Sequence, residues 1–300
     1  MKLASIVALI LVFIISCTST EDVHTLNQYE DIVVNNGNSL LWKIEKEGHQ
    51  TSYLFGTMHM IDEVYFNITP HLQYIIENSD QVIMEIGGQP NPLEALSLIT
   101  LKGETINDYF TKIELTELVK FMDNELGVSP KQFHMTYTKM KPFLILQSIT
   151  QAFFSKNAKS YDLSIMKTSQ DNEIPIIGFE TMEQQLGFFD LIPNKAIASM
   201  VMTSVKNFEK EKEGTQKLMK FYSKEQVDKF IPLMKDQSPE FMAFEDIFLT
   251  NRNKAWIPTI LAETRDKSCF IGVGAAHLFE SNGVIQLLKN EGFTLTAITK

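Results

Sequence analysis

The sequence predicts a mixed α/β fold, in which a central mixed sheet carries large helical insertions. Three features point there. Short β-rich apolar runs at 52–55, 81–86, 174–180 and 269–273 have the composition of strands buried on both faces. The first two are separated by a helix signal, so strand, helix and strand follow one another as in a crossover unit with parallel neighbours. Long stretches of helical periodicity fill most of the remaining chain.

Taken in order, the chain opens with Lys2, an apolar run over 3–15 and Ser16-Cys17. That run is too short to span a bilayer and suits the core of an export signal. Ile14-Ile15-Ser16-Cys17 resembles a bacterial lipobox, so residues 1–16 read as a lipoprotein signal peptide, Cys17 as the lipidated first residue, and 17–39 as a polar tether. An ordinary cleaved signal with an incidental cysteine is the alternative. Residues 40–45 and 52–55 then form two strands of a hairpin across the polar segment 46–50. Thr69-Pro70 announces a helix to about residue 79, with threonine as cap and proline in the first turn. It leads into the 81–86 strand. From 91 to 154 the pattern is helical, punctuated at Gly103, Gly127 and Ser129-Pro130, as an inserted helical layer or a lid would be. A further helix over 161–170 precedes the 174–180 strand. A second helical block covers 183–265, and its charged run at 209–213 reads as a solvated helix face. The chain closes with the strand at 269, a helix over 282–291 and a strand over 293–298.

Two segments repeat one design. Gly56-Thr57-Met58-His59 and Gly274-Ala275-Ala276-His277 each place a histidine three residues after a glycine, just past an apolar strand. Histidines released from the ends of two distant strands can meet, and a meeting pair of imidazoles suits a metal or proton-transfer site. Glu85 lies inside an apolar strand, where a carboxylate requires cations, metal or donors around it. Glu180 ends another strand, and a role in starting the helix near Thr181 is as good a reading as a catalytic one. Two histidines and two glutamates at four strand ends form a candidate cluster at one edge of the sheet, where open α/β proteins place their sites. His24, His49, His71 and His134 lack such a context and read as surface residues.

Acidic side chains outnumber basic ones by 37 to 27, a net charge of −10, and no basic stripe is present, which excludes nucleic acid as the expected partner. Of the two cysteines, Cys17 belongs to the leader or carries lipid, so Cys269 is expected to be a reduced, buried thiol. The expected location is the bacterial cell envelope, with the membrane reached through the lipid anchor.

The chain resembles the TraB/GumN family, related to the Tiki proteases and more remotely to the erythromycin-esterase and ChaN-like group. The residues that carry this are Leu41-Trp42, the block from Tyr53 to His59, Glu85, Lys141-Pro142-Phe143, Asp162, Gly178-Phe179-Glu180 with Gln185, Arg252-Asn253, and Gly274 to His277. Their order extends over 40–298 and marks 40–300 as one domain. For Tiki-like members the resemblance implies metal-dependent proteolysis using the paired glycine-histidine motifs and a glutamate, which fall here on His59, His277 and Glu85. The segment Phe279-Glu280-Ser281-Asn282-Gly283 departs from the shorter, more glycine-rich turn expected after the second histidine.

The leading expectation is therefore an envelope-anchored metal-dependent hydrolase acting on a peptide or protein. His59 and His277 would hold a divalent ion (manganese, cobalt, iron or zinc), and Glu85 would serve as ligand or general base, with Glu180 the other candidate. Arg252 would steady a carboxylate or oxyanion, or pair structurally with Glu85 or Asp162, the latter being preferred. Two rivals stand beside it: a metal-independent, esterase-like hydrolase using a histidine and a glutamate, and a non-catalytic protein that sequesters a peptide or haem.

Overall fold

Side chains alternate along the central strands, so successive residues enter different cores on the two faces of one sheet. The computed structural model describes residues 31–34, 37–88, 92–237 and 242–300. The expected signal peptide, Cys17 and His24 lie outside them. Six strands, β1 (Leu41–Glu45), β2 (Ser52–Thr57), β3 (Gln81–Ile86), β4 (Ile176–Glu180), β5 (Cys269–Gly274) and β6 (Thr294–Ile298), form a mixed sheet in the order β4-β3-β5-β2-β1-β6. β2, β5, β3 and β4 run parallel, and β1 pairs antiparallel with both β2 and β6. The mixed α/β expectation holds, including the hairpin and the crossover from β2 to β3. That crossover steps over one position, because β5 lies between them.

The helices are α1 (Pro70–Glu77), α2 (Pro92–Ile99), α3 (Lys112–Leu126), α4 (Pro130–Tyr137), α5 (Pro142–Gln151), α6 (Tyr161–Asp171), α7 (Met182–Asp190), α8 (Asn194–Lys206), α9 (Phe208–Ser223), α10 (Val227–Gln237), α11 (Asn251–Glu263) and α12 (Val284–Asn290). Their starts follow the local chemistry. Thr69 accepts from Leu72 N ahead of Pro70, and Thr111, Ser129 and Thr181 each close a capping box.

Phe55, Val82, Met84 and Phe270 face one side of the sheet, where α1, α6, α9 and α10 cover them. Leu54, Ile83, Ile271 and Val273 face the other, under Trp256, Ile257 and Ile260 of α11 and Val284, Ile285 and Leu288 of α12. Cys269 belongs to this second core as a buried free thiol, its pKa pushed up to about 12 by burial. Glu85, two residues beyond Ile83, falls on the α11 side by the same alternation. The inserted helices carry cores of their own, one from α3, α4, α5 and α8 and another centred on Phe143, Leu186, Ile197 and Phe248.

Residues 31–34, within the expected tether, lie along β6: Val34 N donates to Ala297 O at 2.8 Å and Thr299 N to Ile32 O at 2.9 Å. This segment corrects one reading. His71 is buried rather than superficial, with Nε2 3.3 Å from Asp31 Oδ1 and Nδ1 3.0 Å from Thr299 O. His134 is exposed, as expected.

Candidate functional site

The two glycine-histidine motifs are neighbours because their strands are. In the parallel β2–β5 register Gly56 faces Val273 and Thr57 faces Gly274. Gly56 allows the close approach, since a Cβ there would stand 2.7 Å from Leu278 Cδ1 and 3.1 Å from Ala275 Cα. On the far side of β5, Met84 pairs with Gly272, which brings the next residue, Glu85, level with the end of β5. Three groups then surround one point. A Cβ built on Gly274 would lie 3.2 Å from Glu85 Oε1, 3.6 Å from His277 Cδ2 and 3.7 Å from His59 Nε2.

Each histidine is oriented by an oxygen. His59 Nδ1 donates to Asp162 Oδ2 at 2.9 Å, while the other carboxyl oxygen of Asp162 accepts from Thr57 Oγ1 at 2.9 Å. Asp162 stands in the first turn of α6, where the helix dipole favours a negative group. Asp162 raises the pKa of His59 to about 9, against the opposing cost of desolvation. The His59 ring nonetheless opens to solvent, with 68% of its side chain exposed. His277 is buried, its ring tilted at 41° against the Trp256 ring with centroids 4.5 Å apart, and its Nδ1 lies 2.6 Å from Asn253 Oδ1. Asn253 Nδ2 donates to Asn282 O at 2.8 Å, which turns the amide oxygen toward the imidazole and makes Nδ1 its protonated nitrogen. Burial lowers the pKa of His277 to about 3, so the ring is neutral at neutral pH.

Glu85, Arg252 and Glu180 form a buried cluster behind these rings. Glu85 Oε1 accepts from Gly274 N at 2.8 Å, and Oε2 accepts from Arg252 Nη2 at 2.6 Å and Gln185 Nε2 at 3.0 Å. Burial opposes its charge, but His277 where acid protonates it, His59, Arg252 and the Gly274 N–H outweigh it and hold its pKa at about 2. Arg252 spends all five N–H groups: Nε on Glu180, Nη2 on Glu85 and Glu180, Nη1 on Phe248 O at 3.0 Å and His277 Nε2 at 3.2 Å. Glu180 also accepts from Trp256 Nε1 at 2.9 Å. A single π turn, Asp246–Thr250, precedes α11, and it is the carbonyl of Phe248 within this turn that receives the guanidinium.

The structure thus brings His59, His277, Glu85 and Arg252 to one cavity of about 400 Å³, walled by Phe188, Phe189, Phe230 and Phe248. A second cavity of about 570 Å³ shares His59, Glu85, Gln147 and Gln185 with it and is walled by Met60, Met84, Met166 and Met182. Helix α5 of the inserted block supplies Gln147, and Gln151 of the same helix reaches the second cavity. Glu180 lines neither cavity. The helix-start reading of Glu180 is corrected, because Thr181 and Gln184 cap α7 and Glu180 instead holds Arg252. The ion-pair reading of Arg252 resolves onto Glu85 rather than Asp162. Glu280 pairs with Lys235 at 2.6 Å, with its backbone in the left-handed region at φ 71°. Asn253 and Trp256 escaped the sequence reading as site residues. Their signal was the spacing of Trp256, four residues after Arg252 and three after Asn253 and so on one helix face with them.

Fold and site together define an α/β protein whose parallel strand ends gather two histidines around a buried glutamate–arginine–glutamate cluster. A family model, the TraB/PrgY/gumN family, matches residues 40–297, and the chain belongs to that family. No curated protein and no solved structure matches the chain. Among the described residues no helix is long and apolar enough to cross a membrane.

Proposed function

We propose that the chain is a metal-dependent hydrolase of peptide bonds, held at the bacterial envelope through a lipid on Cys17. The observation that carries this reading is the convergence of His59 Nε2, His277 and Glu85 Oε1 around Gly274. Among the described residues no group of three or more histidine, cysteine, aspartate or glutamate side chains stands arranged to hold a metal ion. The donor chemistry nevertheless fits a divalent ion. Both imidazoles have Nδ1 bound to an oxygen acceptor, which directs Nε2 to the ligand side as in carboxylate–histidine–metal pairs. Glu85 and Glu180 face one guanidinium and Asp162 faces His59, so added positive charge is favoured; a bound ion would replace the proton that Asp162 retains on His59.

His59, His277 and Glu85 would hold the ion, which could be manganese, cobalt, iron or zinc. When bound, such an ion lowers the pKa of a coordinated water and polarises a carbonyl. Glu85, ionised down to about pH 2, is suited to ligation rather than to taking up a proton near neutral pH. Arg252 has no N–H left for a substrate oxyanion, so it positions Glu85 and His277, and Glu180 positions Arg252. The phenylalanine and methionine walls suit apolar side chains on either side of His59, and the neutral amides of Gln147 and Gln185 suit a peptide backbone.

Incubating the full chain with peptide libraries tests this. Cleavage that chelation abolishes and divalent ions restore, and that His59→Ala and His277→Ala both remove, is the expected result. Cleavage that survives chelation would favour the rival in which His59, oriented by Asp162 at 2.9 Å, works as an acid–base group without metal. Binding with no product under any condition would leave sequestration as the function. Metabolic labelling with a tagged fatty acid tests the anchor: label is expected on the wild type and lost in Cys17→Ser.

A further inference from the structure

We infer that Arg252 is a built-in competitor of the metal, sharing the Glu85 carboxylate and the His277 Nε2 atom with it and thereby setting how tightly a divalent ion is held. The inference rests on the metal-dependent reading above and concerns one residue's part in it.

Competition at His277 is exclusive. Its Nδ1 carries the proton given to Asn253, so Nε2 has a single lone pair. That lone pair faces Arg252 Nη1 at 3.2 Å, and a guanidinium nitrogen only donates. The same lone pair cannot accept from Nη1 and ligate an ion together. Competition at Glu85 is electrostatic instead: Arg252 takes Oε2 at 2.6 Å, while Oε1, on the histidine side, keeps a lone pair beyond its bond from Gly274 N.

The guanidinium is also fixed where it stands. Glu180 holds it through Nε and Nη2, Phe248 O holds Nη1, and the Trp256 and Phe188 rings lie 5.0 and 5.4 Å from its central carbon. An ion entering this site gives up part of its binding free energy to displace one hydrogen bond and to sit beside a fixed positive charge. The result is a site of restrained affinity whose ion exchanges.

Zn(II) binding to the purified full chain near neutral pH, measured by calorimetry on the wild type, Arg252→Gln and Arg252→Lys, tests this. Arg252→Gln removes the charge and should bind Zn(II) about tenfold more tightly or better, whereas Arg252→Lys keeps the charge and should stay within about threefold of wild type. Equal or weaker binding by Arg252→Gln would overturn the competition while leaving the metal site standing. Absence of Zn(II) uptake by all three proteins would overturn the metal reading and this inference with it. Should Arg252→Gln fail to fold, nitrogen-15 spectra of the wild type decide. The Arg252 Nη and His277 Nε2 resonances should move together as Zn(II) is added, and a shift of His277 with Arg252 unmoved would overturn the inference.

Discussion

Asp162 grips His59 through Nδ1 at 2.9 Å and leaves Nε2 directed at the Gly274 end of β5. The same carboxylate raises the imidazole pKa to about 9 from an ordinary 6.5. A histidine whose pKa is raised on folding stabilises the fold fully below 6.5 and loses that contribution as pH climbs through about 9. Asp162→Asn keeps an oxygen acceptor but removes the charge. The His59 midpoint, followed by the NMR shift of its ring proton, should then fall toward 6.5; a midpoint still near 9 would show that Asp162 is not its cause.

Acid should weaken the fold in two stages. His277 has a folded pKa of about 3, so between 6.5 and about 3 the unfolded chain takes up a proton that the folded chain refuses, and stability falls. Glu85, at about 2 against an ordinary 4.5, contributes stability above 4.5 that is lost as pH drops through about 2. Urea midpoints measured across this range should decline from near pH 6.5 in the wild type. His277→Gln should flatten the upper stage only, and an unchanged slope would contradict the assignment.

Glu180 and Arg252 expose only 8% and 10% of their side chains. Removing one partner of such a buried pair leaves the other charge poorly compensated, at a cost of about 3–5 kcal/mol. Glu180→Ala should lower the unfolding free energy by that amount in denaturant titration, and Glu180→Gln by less, since the amide oxygen still accepts. A loss below about 1 kcal/mol, the range of exposed pairs, would show that the cluster is not anchored here.

Gly274 tests the geometry of convergence. Its backbone, at φ −52° and ψ 136°, suits any residue, so alanine introduces no backbone strain. The new methyl would stand 3.2 Å from Glu85 Oε1 and between the two histidines. Gly274→Ala should therefore keep native circular dichroism, cost about 1–3 kcal/mol in denaturation, and lose Zn(II) binding and peptide cleavage. Full retention of both would place the site elsewhere.

Much of this was legible in the sequence, for identifiable reasons. The β-rich runs ending at Phe55, Ile86, Glu180 and Val273 mark the strands because parallel strands covered on both faces must be apolar nearly throughout. The repeated glycine-histidine spacing marked His59 and His277, and an isolated carboxylate in such a run marked Glu85. The partners were not legible, because pairing depends on strand order. Nothing local places β5 between β3 and β2, and that order gives Glu85 its Gly274 N–H. Nor does sequence separation show that Asp162 reaches His59, or that Glu180 spends its oxygens on Arg252 and Trp256 rather than on helix α7. The surface reading of His71 fails for the same reason, since its partners are Asp31 and Thr299, far away along the chain.

The most direct measurement is anomalous diffraction from crystals of the full chain soaked in Mn(II) or Zn(II). A single strong peak bonded to His59 Nε2, His277 Nε2 and Glu85 Oε1 is the expected result. A map with no peak at these atoms, from protein that still cleaves peptide, would contradict the metal-dependent account.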